Sequence, residues 1–232
     1  MALNEHRLDQ FDEMVGQLTD RVEADINQAI VTRGRARIVV SGGSTPGPLF
    51  EALNTRNIDW EKVTVTLADE RWVPPSHSAS NHGLLLEKLL HGAAAKAKFV
   101  PLYVDGMSPE SAKAIVGARI REVGKPFDLV LLGMGGDAHT ASLFPDAPEL
   151  ESAMDQDSGA MCWPMHPPSA TEARMTLTLP TLLHTRQVIL MLRGWDKWPV
   201  YQKACKAKDY LSMPVAAVLN QDKVPVDVYW SE

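Results

Sequence analysis

Apolar residues recur at spacings of three and four from Leu8 to Ile30, at Leu8, Phe11, Val15, Leu18, Val22, Ile26 and Ala29. That period is the stripe of an amphipathic helix, which predicts an opening helix over residues 8–30 that lays one face on a sheet. Beyond it the pattern changes to short runs rich in β-branched residues, at 36–40, 63–67, 98–103, 127–132, 187–192 and 227–230, and these predict strands. Between the runs lie helical stretches near 48–53, 83–90, 109–123 and 195–206. Ser108-Pro109-Glu110 marks a helix start with a capping hydroxyl, proline at the first position and an acid in the first turn. Residues 149–158 are acidic and poor in apolar side chains, which predicts a solvated loop. Strands alternating with helices imply βαβ units. The expected fold is an α/β, Rossmann-like open sheet, mostly parallel, with helices on both faces.

Length and composition narrow this further. The chain has 232 residues, 45% hydrophobic and 22% charged, an ordinary balance for a globular protein, and residues 1–232 are expected to form one domain. A formal charge of −6 and the lack of a Lys/Arg block argue against a nucleic-acid partner, which needs clustered cations to neutralise phosphates. No apolar run reaches the roughly 18 residues of a membrane span. The first residues lack a basic stretch followed by an apolar one, so no membrane partner is expected and the cytoplasm is the expected location. Cys162 and Cys205 are far apart and outside any CxxC spacing, which predicts two ordinary thiols, no zinc knuckle and no metal site.

The candidate chemistry sits where predicted strands end. After 36–40 comes Ser41-Gly42-Gly43-Ser44-Thr45-Pro46, in which the glycines let the backbone approach a ligand, Ser44 and Thr45 offer hydroxyls, and a following helix adds free N–H groups for an anion. It lacks the Gly-Lys-Ser/Thr ending of a Walker A loop. It also lacks the second glycine of a serine-hydrolase elbow, since Pro46 occupies that position. After 63–67 comes Asp69-Glu70-Arg71, with Asp69 nearest the strand end and Arg71 suited to a bidentate grip on phosphate oxygens, and Ser80-Asn81 heads the next helix. After 127–132 comes Gly133-Met134-Gly135-Gly136-Asp137-Ala138-His139. Its glycines loosely match a dinucleotide fingerprint, yet Pro145 cuts short the long helix that a fingerprint requires.

His139 stands out because an imidazole with an unperturbed pKa near 6.5 can accept a proton from water at neutral pH. Either Asp137 or Asp69 can fix its tautomer. The other six histidines carry no such company and read as structural. Arg174 opens an alternating segment, Arg174-Met-Thr-Leu177, and Lys197 follows a strand end in Arg193-Gly-Trp-Asp-Lys197, so both are candidate partners for an anion.

In order and spacing these segments, Ser41 to Pro46, Asp69-Glu70-Arg71 with Ser80-Asn81, Gly133 to Pro145, Arg174 to Thr178 and Gly194 to Lys197, resemble the motifs of the 6-phosphogluconolactonase family over nearly the whole chain. The resemblance implies hydrolysis of 6-phosphoglucono-1,5-lactone to 6-phosphogluconate, the second step of the oxidative pentose phosphate pathway, with no required cofactor. It also implies a fold shared with glucosamine-6-phosphate deaminase. Carried over by position, His139 resembles the general base. Gly42, Gly43, Ser44 and Thr45 resemble the phosphate cradle, with Arg71 and Lys197 as its cations. Asp69 would hold sugar hydroxyls or polarise the histidine, and Arg174 would shape the pocket or steady the oxyanion. The implied partner is a small phosphorylated sugar lactone, the protein being a monomer or weak homodimer.

The family pattern usually reads Gly-x-Gly-Pro-Asp-Gly-His, and here Gly136 and Ala138 depart from it. Alanine resists positive φ, so Ala138 must either take an ordinary backbone conformation or carry strain. Two other readings compete. A deaminase typically continues His-Ile-Ala-Phe-Asn-Glu-Pro, whereas His139-Thr-Ala-Ser-Leu-Phe-Pro145 has no acid there. A non-catalytic sugar-phosphate sensor would keep the pocket, and the intact Asp69 and His139 argue against it.

Overall fold

The computed structural model describes residues 3–232. The strands are β1 (Leu3–Leu8), β2 (Ala36–Val40), β3 (Val63–Leu67), β4 (Asp69–Arg71), β5 (Lys98–Val100), β6 (Leu129–Leu132), β7 (Cys162–Met165), β8 (Arg174–Leu177), β9 (Val188–Arg193) and β10 (Val226–Ser231). The helices are α1 (Phe11–Arg33), α2 (Gly47–Asn54), α3 (Asn81–Lys88), α4 (Pro109–Val123), α5 (Leu150–Met154), α6 (Leu179–Leu182), α7 (Lys197–Ala204) and α8 (Val215–Leu219). Seven strands form one parallel sheet in the order β1-β10-β9-β6-β2-β3-β5. The other three form a small antiparallel sheet, β4-β8-β7, that alternation alone did not foretell.

From β2 the chain steps outward one way to β3 and β5, and from β6 the other way to β9 and β10. Right-handed crossovers in opposite directions place connecting helices on opposite faces. They also leave a crevice at the carboxyl ends of β2 and β6, where ligands of open α/β sheets bind. The central strands carry apolar side chains on both faces: Leu129, Val130, Leu131 and Leu132 of β6 are all buried, as are Val188 to Leu192 of β9.

The opening helix begins later than its stripe, at Phe11, because residues 3–8 are a strand. That strand is the sheet edge, with only Leu3, His6 and Leu8 partly covered, so its polar sequence hides it from a search for apolar runs. Met14, Leu18, Val22, Ile26 and Ala29 form the buried face of α1, which ends at Gly34, where φ of 73° suits glycine and its N–H bonds Ile30 O at 2.8 Å. The acidic stretch holds a short helix, α5, because Leu150 and Ala153 reach the core, while 155–158 stay exposed. Strand β5 stops at Val100, before Pro101, which has no N–H to continue a ladder.

Candidate active site

A cavity of about 300 Å³ opens at the crevice between β2 and β6. The two loops that frame it leave their strands already joined, Ser41 N–H donating to Leu131 O at 2.9 Å. In the first loop Gly42 faces Asn81 so closely that a Cβ there would fall on the Asn81 carboxamide, and Gly43 has a φ of 102°. Ser44 and Thr45 line the cavity, and the N-terminus of α2 that follows has no side-chain cap.

The small sheet supplies the charged wall. Its register sets Asp69 opposite Thr176 and Arg71 directly opposite Arg174. Two guanidinium groups facing each other across a ladder repel. Burial lowers the Arg174 pKa below the ordinary arginine value, nearby Asp69 partly offsets this, and Arg71 lowers it further. An anion between the two would relieve both. Arg71 is steadied by donating to Ala79 O at 2.5 Å, and Asp69 lies 3.9 Å from Arg174. Lys197 projects from the start of α7 over Gly136, close enough that a Cβ there would lie 3.7 Å from its Nζ. Arg193 joins the cavity wall from the end of β9 and stacks on Phe11 at 4.0 Å. Among the described residues, six buried polar side-chain atoms lack a partner, and four belong to this wall: Ser41 Oγ, Arg71 Nε, Asn81 Oδ1 and Arg174 Nε. Such orphans are rare unless something else completes them.

His139 lines the cavity from the loop that follows β6. Its Nδ1 meets Asp137 Oδ1 at 2.6 Å, so the pair that sequence left open is settled in favour of Asp137. Asp69 makes no such contact, its Oδ2 accepting instead from Ser142 Oγ at 2.5 Å. With Nδ1 donating to the carboxylate, Nε2 keeps its lone pair for the cavity. Burial pushes the Asp137 pKa up, and the hydrogen bond and charge of His139 outweigh it, holding the carboxyl below the usual range. Phe144 stacks on the imidazole at 4.0 Å. The loop that presents the ring is tight: a Cβ on Gly135 would collide with the imidazole, and Gly135 N–H bonds His139 O at 2.9 Å. Ala138 does take the strained alternative, with φ of 66°, and Ala141 follows with 49°. Left-handed backbone costs an L-residue about 1–2 kcal/mol, so packing must hold it. Val215 N–H donates to Ala138 O at 3.0 Å, and Ala138 is buried.

Every predicted site residue except Asp137 borders the cavity, and Asp137 stands behind His139. Sequence reasoning missed the work of Glu70. Its fully buried carboxylate accepts from the N–H groups of Arg71, Asn81 and His82, each at 2.8 Å, and from Ser80 Oγ at 3.2 Å. Burial pushes its pKa up to about 7, and those backbone bonds resist the rise. The available signal was an acid beside the strand end, but only the fold shows that it turns away from the cavity. Arg193 carried no signal beyond its place at a strand end. Among the described residues, no group of three or more His, Cys, Asp or Glu side chains is arranged to hold a metal ion, and no helix is long and apolar enough to cross a membrane.

Residues 9–230 match the family model described as glucosamine-6-phosphate isomerases/6-phosphogluconolactonase. The chain is 41% identical to the 6-phosphogluconolactonase of Rhizobium meliloti (strain 1021) over 231 residues, covering 100% of both. It is 40% identical to that of Pseudomonas aeruginosa over 213 residues, 92% of this chain and 88% of the relative. The crystal structure of a 6-phosphogluconolactonase from Shewanella baltica superposes with a TM-score of 0.96 at 40% identity, covering 100% of this chain and 98% of that one. A monomeric glucosamine-6-phosphate deaminase shares the fold, with a TM-score of 0.78 at 16% identity, covering 98% of this chain and 97% of that one. A parallel sheet with its crevice at the β2/β6 switch, a cationic wall facing an Asp-supported histidine, and likeness along the full length all agree: the chain belongs to the glucosamine-6-phosphate isomerase/6-phosphogluconolactonase family.

Proposed function

We propose that this protein is a carboxylic ester hydrolase that converts 6-phosphoglucono-1,5-lactone to 6-phosphogluconate, the second step of the oxidative pentose phosphate pathway. The observation that carries the reading is the opposition of Arg71 and Arg174 in the wall of the cavity that His139 also lines, its Nδ1 committed to Asp137 and its Nε2 free. The first feature calls for an anion and the second for a proton donor.

The phosphate is held by the Gly42–Thr45 loop with Arg71 and Lys197, which leaves the ring carbonyl toward His139. Nε2 removes a proton from water as the oxygen attacks the carbonyl carbon, and Asp137 stabilises the imidazolium that forms. Arg174 steadies the oxyanion of the tetrahedral intermediate. That intermediate collapses by breaking the bond to the ring oxygen, which takes the proton back from the imidazolium and leaves as a hydroxyl. Asp69 receives substrate hydroxyls on its free oxygen. A lactone is already activated, so a positioned base giving about 10²- to 10⁴-fold, with electrostatic help at the oxyanion, meets the need without a covalent nucleophile.

Asp69 is the only carboxylate bordering the cavity among the described residues, which favours hydrolysis over deamination, where ring opening and amine loss need further proton shuttling. In this reading residues 1–232 act as one domain in the cytoplasm, as a monomer or weak homodimer. Assaying the lactone and glucosamine 6-phosphate side by side tests it. Turnover of the lactone alone is expected, His139→Ala should lose most of it while still binding 6-phosphogluconate, and unchanged turnover in that variant would remove His139 from the mechanism.

A further inference from the structure

Three residues beyond His139 the chain makes a second approach to the site, from beneath. The strained pair Ala138 and Ala141 bracket the turn that allows it: between them His139 faces the cavity, and after them Ser142 is fully buried against the small sheet. Thr140 pins the turn by donating its hydroxyl to Gly133 O at 2.8 Å. Ser142 is held at two points on the β4–β8 ladder. Its N–H donates to Thr176 Oγ1 at 3.3 Å and its hydroxyl to Asp69 Oδ2 at 2.5 Å, and Asp69 and Thr176 are register partners.

This contact decides how Asp69 is presented. Asp69 is buried, Ser142 gives its closest side-chain hydrogen bond, and the nearest cation, Arg174, stands 3.9 Å away. A buried carboxylate has about four lone-pair sites, so it remains under-supplied with donors. Committing Oδ2 to Ser142 fixes the rotation of the group and leaves Oδ1 as the acceptor for a ligand. The same hydroxyl joins the two halves of the site, since Asp69 rides on the small sheet with Arg71 and Arg174 while Ser142 rides on the loop that carries His139.

We infer that Ser142 is a positioning residue for the reaction: through its hydroxyl it orients the Asp69 carboxylate toward substrate hydroxyls and keeps that carboxylate in register with His139, without touching substrate itself. The inference rests on the lactonase reading and on Asp69 serving there.

A double-mutant cycle on kcat/KM for the lactone tests it, using the wild type, Ser142→Ala, Asp69→Asn and the double variant. Lactone turnover by the wild type is the control for the functional reading, so its absence would sink that reading separately. A lost hydrogen bond to a charged group predicts that Ser142→Ala falls about ten- to hundredfold. Asp69→Asn should fall further, and the double variant should match Asp69→Asn within about twofold, because no charged acceptor for substrate hydroxyls is left for Ser142 to orient. Ser142→Cys, close in volume and a weaker donor, should fall between the wild type and Ser142→Ala, and it carries the cycle if the alanine variant does not fold. Losses that multiply in the double variant, or a Ser142→Ala enzyme within about twofold of the wild type, overturn the inference.

Discussion

Replacing Asp137 by asparagine isolates the support given to His139, because Asp137 lies behind the imidazole and does not border the cavity. The charge-assisted bond of 2.6 Å between them is of a type worth about 1.5–3 kcal/mol. Exposure decides where in that range it falls. The two side chains are 28% and 39% accessible, and water screens such a pair, which puts the loss at the lower end, about 1.5 kcal/mol. At about tenfold per 1.4 kcal/mol, kcat should fall ten- to thirtyfold. KM should move by less than about twofold, since no atom of the phosphate cradle is altered. The ceiling is the whole contribution of the base, about 10²- to 10⁴-fold, which His139→Ala measures. Because the lactone also hydrolyses unaided, rates are read as the excess over buffer, by proton release in weakly buffered solution at raised enzyme concentration. An Asp137→Asn enzyme within about twofold of the wild type would show that the carboxylate does not support the base. A loss as large as that of His139→Ala would show instead that the asparagine amide donates to Nδ1 and takes the lone pair from Nε2, so that fixing the tautomer is the main work of the carboxylate.

Three further outcomes follow from the same geometry. Gly135→Ala puts a Cβ into the His139 ring, so kcat should drop at least tenfold while 6-phosphogluconate still binds, and calorimetric titration beside turnover checks the split. Arg71→Ala and Lys197→Ala each remove a cation from the cradle and should mainly weaken 6-phosphogluconate binding, by about ten- to hundredfold for a charge-assisted bond; if neither changes the dissociation constant, the phosphate lies elsewhere. Burial pushes Glu70 up to about 7 from an ordinary 4.5, so between those values the folded protein keeps a proton that the unfolded chain releases. Stability from this group therefore declines as pH rises through the window, by about 3 kcal/mol, and levels off above it. Glu70→Gln does not titrate, so its Tm relative to the wild type should climb from pH 5 to 7, and a constant difference would refute the shift.

The central strands were legible because burial on both faces demands unbroken apolar runs: β2 and β3 match their predicted bounds to the residue, as does α4 with its Ser108 cap. The edge strand β1 was not, since Asn4, Glu5 and Arg7 leave little apolar pattern to read. The small sheet was half visible. The alternation at Arg174 announced a strand, but nothing local says that it pairs with Asp69–Arg71, a contact made across about a hundred residues. The site residues stood out because charged and glycine-rich segments sit where apolar runs end. Their pairing did not, because Asp137 and Asp69 are the same residue type near the same crevice and only the register of β4 with β8 turns Asp69 away from the imidazole. Ala138 illustrates the same limit: sequence posed the alternative of ordinary backbone or strain, and the hydrogen bond from Val215 is what makes strain tenable.

The pairing of β1 with β10 has a consequence for how the molecule is made. Leu3 to Leu8 align in parallel with Val226 to Ser231, and the tie is reinforced where Asn4 and Arg21 both reach Asp227. β1 therefore has no strand to dock on until β10, far later in the chain, has been made. Until then the buried face of α1 lacks part of its floor and β9 has an open edge. Assembly of the sheet must end at that seam, and loss of Val226–Ser231 would leave β1 with no strand to pair and strip α1 of part of its floor.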